Sequence, residues 1–264
     1  MHVSRIGLAA LKGTRHLSLP GVELTADGPV GDRVFCLVDP VTRRVLRTVE
    51  NPGLVQARAR WHDGVLEVRL PGRVGPLLGE PTPTGKTVTA DYWGRETRLE
   101  VVGGPWARAF SDLLDHDVVL ARASRPGEVV FGASVSLVTT SSLQRLREEL
   151  DGPAPDEDGA AFRATLTLDT DGQPPHVEDT WVGRRVTVGT AEVEVRGVVP
   201  RCAVVDRHPL SGARHAPVLT ALGRYRRSAV DLGFGVDAVV TRPGRVELLD
   251  PVHVTCVPAT VGRG

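Results

Sequence analysis

The residue best placed to do chemistry is Cys202, which directly follows Arg201 in the run PRCAVVD, Pro200 to Asp206. Fixed positive charge beside a thiol favours the thiolate. Thiolate is the form that ligates soft or redox-active metals. The plain alternative is a small apolar cysteine buried in a core. Other cations stand beside tight turns: Lys12 before Gly13, Arg33 after Gly31 and Asp32, Arg163 after Phe162. Cations at strand ends can converge on an anion such as phosphate, with arginine making paired contacts. Taken singly, each reads first as a solvated rim residue.

Other motifs fall away on inspection. GEPTPTGKT, Gly79 to Thr87, looks like a phosphate loop but has five residues between its glycines, where that loop needs four. Its prolines also interrupt a run of backbone N–H donors. Three cysteines, Cys36, Cys202 and Cys256, are too few and too scattered for a disulfide framework, and no CxxC pair suggests structural zinc. His208 and His215 lack metalloprotease spacing and read as loop residues. No GxSxG elbow, iron–sulfur cysteine run or GxGxxG fingerprint is present.

The elements that must carry these residues read mostly as short strands. The 264 residues include 29 Gly and 20 Pro, which punctuate apolar runs throughout. Strands are predicted at 3–8, 33–38, 45–48, 54–60, 65–70, 87–90, 97–102, 117–121 and 135–138. A second set is predicted at 162–168, 185–188, 192–199, 202–206, 235–240 and 252–257. Helical spacing appears at Trp106 to Leu114 after Pro105, at SSLQRLREEL with a cap at Ser141, and at Val218 to Arg226. Many short strands suggest a barrel or sandwich. Apolar residues at 41%, charged residues at 24% and zero formal net charge fit an ordinary soluble domain. Nothing points to nucleic acid or an anionic membrane surface. No stretch approaches the ~20 apolar residues of a spanning helix, and a cytoplasmic setting is expected.

Taken in order, IGLAALKGTRHLSL, LTADGPVGDRVFCLVD, VSLVTTSSLQRL, AFRATLTL, VEDTWVGRRVTVG, VPRCAVVDRHPLSG and GFGVDAVVTRPGRVELLDPVHV cover nearly the whole chain. Together they resemble the MOSC family, the molybdenum cofactor sulfurase C-terminal domain, with its N-terminal barrel partner. The resemblance implies a mainly β fold with a few short helices: a smaller barrel-like domain at 1–103, then a MOSC-type β-barrel at 104–260. It implies a molybdenum–molybdopterin cofactor, with Cys202 as the thiolate on molybdenum and the catalytic residue. Lys12, Arg33, Arg163 and Arg201 would hold the pterin and its phosphate. Thr139 and Ser142 would hydrogen-bond the cofactor from a helix start.

Relatives with this layout include proteins that reduce N-hydroxylated compounds, and the resemblance to these implies an oxidoreductase acting on a small molecule with N–O or S–O bonds. With no iron–sulfur or dinucleotide motif, electrons are expected from a separate donor protein. Other readings are a sulfur or cofactor carrier using Cys202, and a divergent member without cofactor. Asp206 or His208 could supply protons or simply belong to a loop. The chain departs from the family pattern at Phe162-Arg163-Ala164-Thr165, where relatives have Asn at the last position. It departs again at Gly13, where relatives often carry Ser, and at Leu249-Asp250, where Gly-Asp is usual.

Overall fold

A computed structural model describes residues 1–153, 159–170, 172–226 and 232–255. Cys256 and the end of the last expected strand lie outside these. The mainly β architecture with few helices is what forms. Eight strands make one sheet, in the spatial order Val252–Thr255, Arg185–Val188, Ala191–Pro200, Gly233–Arg242, Val135–Thr139, Leu166–Asp169, His2–Leu8 and Leu17–Leu19. Alternating apolar residues such as Val186, Val188, Val193 and Val195 line its core with Ile6, Leu137 and Trp181. Each such side chain contributes about 1.5–3 kcal/mol by leaving water.

Five strands, Thr82–Tyr92, Arg95–Gly103, Val119–Ala123, Phe35–Asp39 and Arg44–Val45, close into a small barrel. Its interior holds Cys36, Val38, Ala90, Tyr92, Leu99 and Ala121. Helix α1, Trp106–Leu114, buries Trp106 and Phe110 one turn apart, and Pro105 caps it as its sequence implies. Strand pairing runs across the expected division at residue 103 in both directions. His2–Leu8 pairs with Leu166–Asp169 and Gly21–Thr25 with Gly244–Glu247, whereas Val119–Ala123 pairs with Phe35–Asp39.

Four expected strands are corrected. Arg33 and Arg163 do not open strands; both adopt positive φ, 48° and 54°, in the turns before Phe35–Asp39 and Leu166–Asp169. Residues 203–206 form a short 3-10 turn capped by Cys202, not a strand. A four-residue apolar run has no periodicity to separate the two, and burial of Val205 alone satisfies it. Residues 52–56 are likewise a 3-10 turn.

Helix α2, Thr140–Glu148, is capped by Thr139 rather than Ser141. Thr139 ends a strand with extended backbone, and its Oγ1 accepts from the Ser142 N–H at 3.3 Å. The hydroxyls of Thr139 and Ser142 both donate to Oε2 of the fully buried Glu178, at 2.8 and 2.9 Å. Burial raises the Glu178 carboxyl above its ordinary range. Replacing Glu178 with alanine removes the acceptor shared by two buried hydroxyls at a helix start, leaving at least one to find another, and should cost about 2 kcal/mol. That corresponds to a Tm drop of roughly 4–8 °C in a thermal melt, and Glu178→Gln, which keeps an acceptor, should lose less.

The third helix, α3, spans Val218–Tyr225 and packs with α2 over Val138, Phe162 and Phe234. No helix among the described residues is long and apolar enough to cross a membrane.

Candidate cofactor-binding site

A cavity of about 470 Å³ opens where the barrel meets the eight-stranded sheet. This falls within the range of small-molecule sites, roughly 300–1,000 Å³. It collects Lys12, Arg33, Arg163, Arg201 and Cys202, residues spread over most of the chain. Arg47 adds a fifth cation to its lining, and Asp237 is the lining carboxylate.

Local backbone chemistry sets each of these. Lys12 follows the first strand, and its N–H donates to Phe35 O at 2.8 Å. Its Nζ donates to Tyr92 Oη at 2.9 Å, 4.5 Å from the centre of that ring. Gly13 has φ +91°, and a Cβ there would stand 2.9 Å from Leu54 Cδ1. A side chain there would be strained by the positive φ and would have to displace the end of Leu54, so glycine suits this turn. Asp32 orients Arg33: its Oδ2 accepts from Nη1 at 2.6 Å while Oδ1 accepts from the Ala9 N–H at 3.0 Å. Arg33 Nη2 reaches Arg163 O at 3.4 Å, tying the two arginine turns together.

Arg201 lies under the cavity wall. Its Nε donates to Phe234 O at 2.7 Å and its Nη1 to Phe162 O at 3.1 Å, with the guanidinium 5.2 Å from the Phe162 ring centre. Its Nη2 is buried and meets no acceptor among the described residues. Cys202 is a half-buried free thiol on the cavity wall.

Crowding of like charge out of water appears in the titration behaviour. Burial, followed by the charges of Arg33 and Arg163, brings the Lys12 ammonium down to about 7. Burial lowers the Arg163 and Arg201 guanidinium groups to about 10. Burial also pushes the Tyr92 phenol up to about 12. A cavity lined by cations that repel one another is suited to an anion.

Thr139 and Ser142 do not join this group. They line no part of the cavity: both hydroxyls donate to Glu178, while Thr139 Oγ1 accepts from the Ser142 N–H and Ser142 Oγ from the His176 N–H. Thr165, at the position of the missing Asn, does not face the cavity either. Its N–H and Oγ1 pair with Ser136, which lines the cavity in its place. Asp206 serves α3 by accepting from the Leu219 N–H at 2.9 Å. His208 accepts from the Leu210 N–H and packs against His215, so both belong to a loop.

Residue-type reasoning missed Arg47, Tyr92, Trp93, Phe131 and Asp237. A signal existed for one of them. In DYWGRE the two-residue turn Trp93-Gly94 carries positive φ at both positions, 58° and 77°. Asn, Asp or Gly normally takes the first of these.

The sequence profile of the MOSC domain family matches residues 111–253, and the chain belongs to that family. Among solved structures it is similar to the YuaD protein of Bacillus subtilis, at 12% identity over 97% of this chain and 96% of that one, with a TM-score of 0.46. It is also similar to YiiM of Geobacillus stearothermophilus, at 20% identity over 49% of this chain and 56% of that one, with a TM-score of 0.34. No curated protein matches it.

Proposed function

We propose that this chain is a molybdenum-cofactor-binding oxidoreductase that removes oxygen from N-hydroxylated or related N–O and S–O compounds. The observation that carries this reading is the single cavity joining the Cys202 thiol to Lys12, Arg33, Arg163 and Arg201. A pterin dithiolene with its phosphate is anionic and needs both a cationic bed and one soft protein ligand. The residues present fit that group: four cations, Lys12, Arg33, Arg163 and Arg201, line the same cavity as the Cys202 thiol.

When bound, the cofactor supplies two-electron redox chemistry at molybdenum. The protein does the rest. Lys12, Arg33 and Arg163 hold the phosphate and pterin from turns that Asp32 and Gly13 keep in shape. Arg201 braces the wall beneath Phe162 and adds charge next to Cys202. Cys202 offers its sulfur to the metal. Conversion of an N–OH group to N–H and water consumes two electrons and two protons, and a separate donor protein supplies the electrons. A carrier that only held a persulfide on Cys202 has no use for a cavity lined by Lys12, Arg33, Arg163 and Arg201 together.

The test is metal analysis with pterin detection on protein expressed in a host that makes the cofactor. Molybdenum and pterin in about equal amounts, with turnover of an N-hydroxylated substrate by a chemical electron donor, is the expected outcome. Protein without molybdenum or pterin ends the proposal. A mass increase of one sulfur atom on Cys202, with no metal, favours the carrier instead.

A further inference from the structure

The cavity is cationic inside and aromatic at its mouth. Trp93 and Phe131 line it and remain 46% and 51% exposed. Their rings meet edge to face, 5.7 Å apart at 60°. Large apolar side chains left in water as a matched pair are unusual unless something covers them.

The pair is held in place by specific contacts. Trp93 occupies a left-handed backbone position at a hairpin tip, where a bulky residue is strained and Gly or Asn is at ease. The Arg47 guanidinium lies 4.7 Å from the centre of its indole and is itself paired with Glu50. Arg95, two residues on, donates to Glu128 O at 2.6 Å and so ties the loop before Phe131 to the hairpin. On the other side of Phe131, Asp237 Oδ2 accepts from the Ala133 N–H at 2.7 Å. Gly132 lets the loop pass, since a Cβ there would stand 2.3 Å from that same oxygen. Two chain segments are thus fastened to each other, and the outcome is two rings at a fixed angle.

We propose that the Trp93–Phe131 corner is a specificity subsite that receives a flat conjugated ring of the substrate, with the N–O end directed past it into the cavity. This rests on the oxidoreductase reading above. A two-ring corner is far smaller than the roughly 800 Å² per side that a stable protein contact buries. It is matched in size to one aromatic or heteroaromatic ring, which gains from edge and face contacts that a saturated ring cannot make. Arg47 is charge-compensated by Glu50, so it stiffens the indole rather than demanding an anion.

The experiment is calorimetric titration of the protein, at measured molybdenum content, with benzhydroxamic acid and with its saturated counterpart, cyclohexanecarbohydroxamic acid. The two share a hydroxamate head, so contacts of that head cancel in the ratio of Kd values. The parent protein should prefer the flat ring by about three- to tenfold. Trp93→Gly and Phe131→Ala should bring that ratio close to one. Trp93→Gly should melt no lower than the parent, because the turn favours glycine, which separates lost selectivity from lost folding. An unchanged ratio in both variants, or a parent protein that binds neither compound, overturns the subsite. Protein that lacks molybdenum yet keeps the Trp93-dependent preference counts against the oxidoreductase reading alone. Molybdenum-loaded protein without the preference counts against the subsite alone.

Discussion

Cys202→Ala should fold and lose all molybdenum-dependent turnover. The side chain is half-buried and small, so its truncation costs about 1 kcal/mol and lowers Tm by no more than about 4 °C. What disappears is the one soft ligand on the cavity wall. Cys202→Ser tests the same point more sharply, because a hydroxyl keeps the shape and loses the affinity for soft metals. Both variants should show turnover at the level of a reaction without protein, measured against an N-hydroxylated substrate with a chemical donor. Full activity in either would remove the thiolate from the mechanism. Cys36→Ala is the matching control. Cys36 is sealed inside the barrel, and burial pushes its thiol up to about 12, so it stays protonated and takes no part.

The second large effect is a pH dependence of anion affinity set by Lys12. In the ligand-free protein its ammonium lies at about 7, through burial first and then the charges of Arg33 and Arg163. A bound anion favours the charged form and raises that value. Above pH 7 the anion must therefore bring a proton with it, and its affinity falls as pH rises, by up to about tenfold per pH unit. Below pH 7 the ammonium is already charged and affinity levels off. Arg163 and Arg201, at about 10, stay charged over this range, and Tyr92, at about 12, stays neutral. Sulfate binding to Cys202→Ala, titrated between pH 6 and 9, isolates the effect, since sulfate does not titrate there and the thiol is gone. Adding Lys12→Met should flatten the profile and weaken binding at pH 6 by about tenfold. A flat profile with Lys12 present would show that its ammonium does not face the anion.

Much of this was legible in residue order. The Arg201–Cys202 pair and the cations at Lys12, Arg33 and Arg163 could be named as candidates from the sequence, although each cation taken singly also suited a solvated rim. The strand at Val65–Arg69 followed from alternation, those at His2–Leu8, Val135–Thr139 and Arg185–Val188 from apolar or β-branched runs bounded by turn formers, and helices from apolar spacing. Local chemistry also marked Pro105 as the start of α1.

Other features depended on partners distant in sequence. Thr139 and Ser142 resembled cofactor contacts until Glu178, more than thirty residues away, claimed their hydroxyls. Thr165 pairs with Ser136, Asp206 with the start of α3. Arg47, Trp93 and Phe131 meet only because the barrel hairpin and the loop before Val135–Thr139 are fastened together.

The sequence by itself determined which side chains could bind an anion and a soft metal, because charge, thiol and turn preference are properties of single residues and their neighbours. Only the tertiary structure decided which of them share one cavity, which are spent on capping and packing, and that aromatic rings guard the opening. Hydrogen-bond partners and burial are set by elements far apart in the chain, and no local pattern records them.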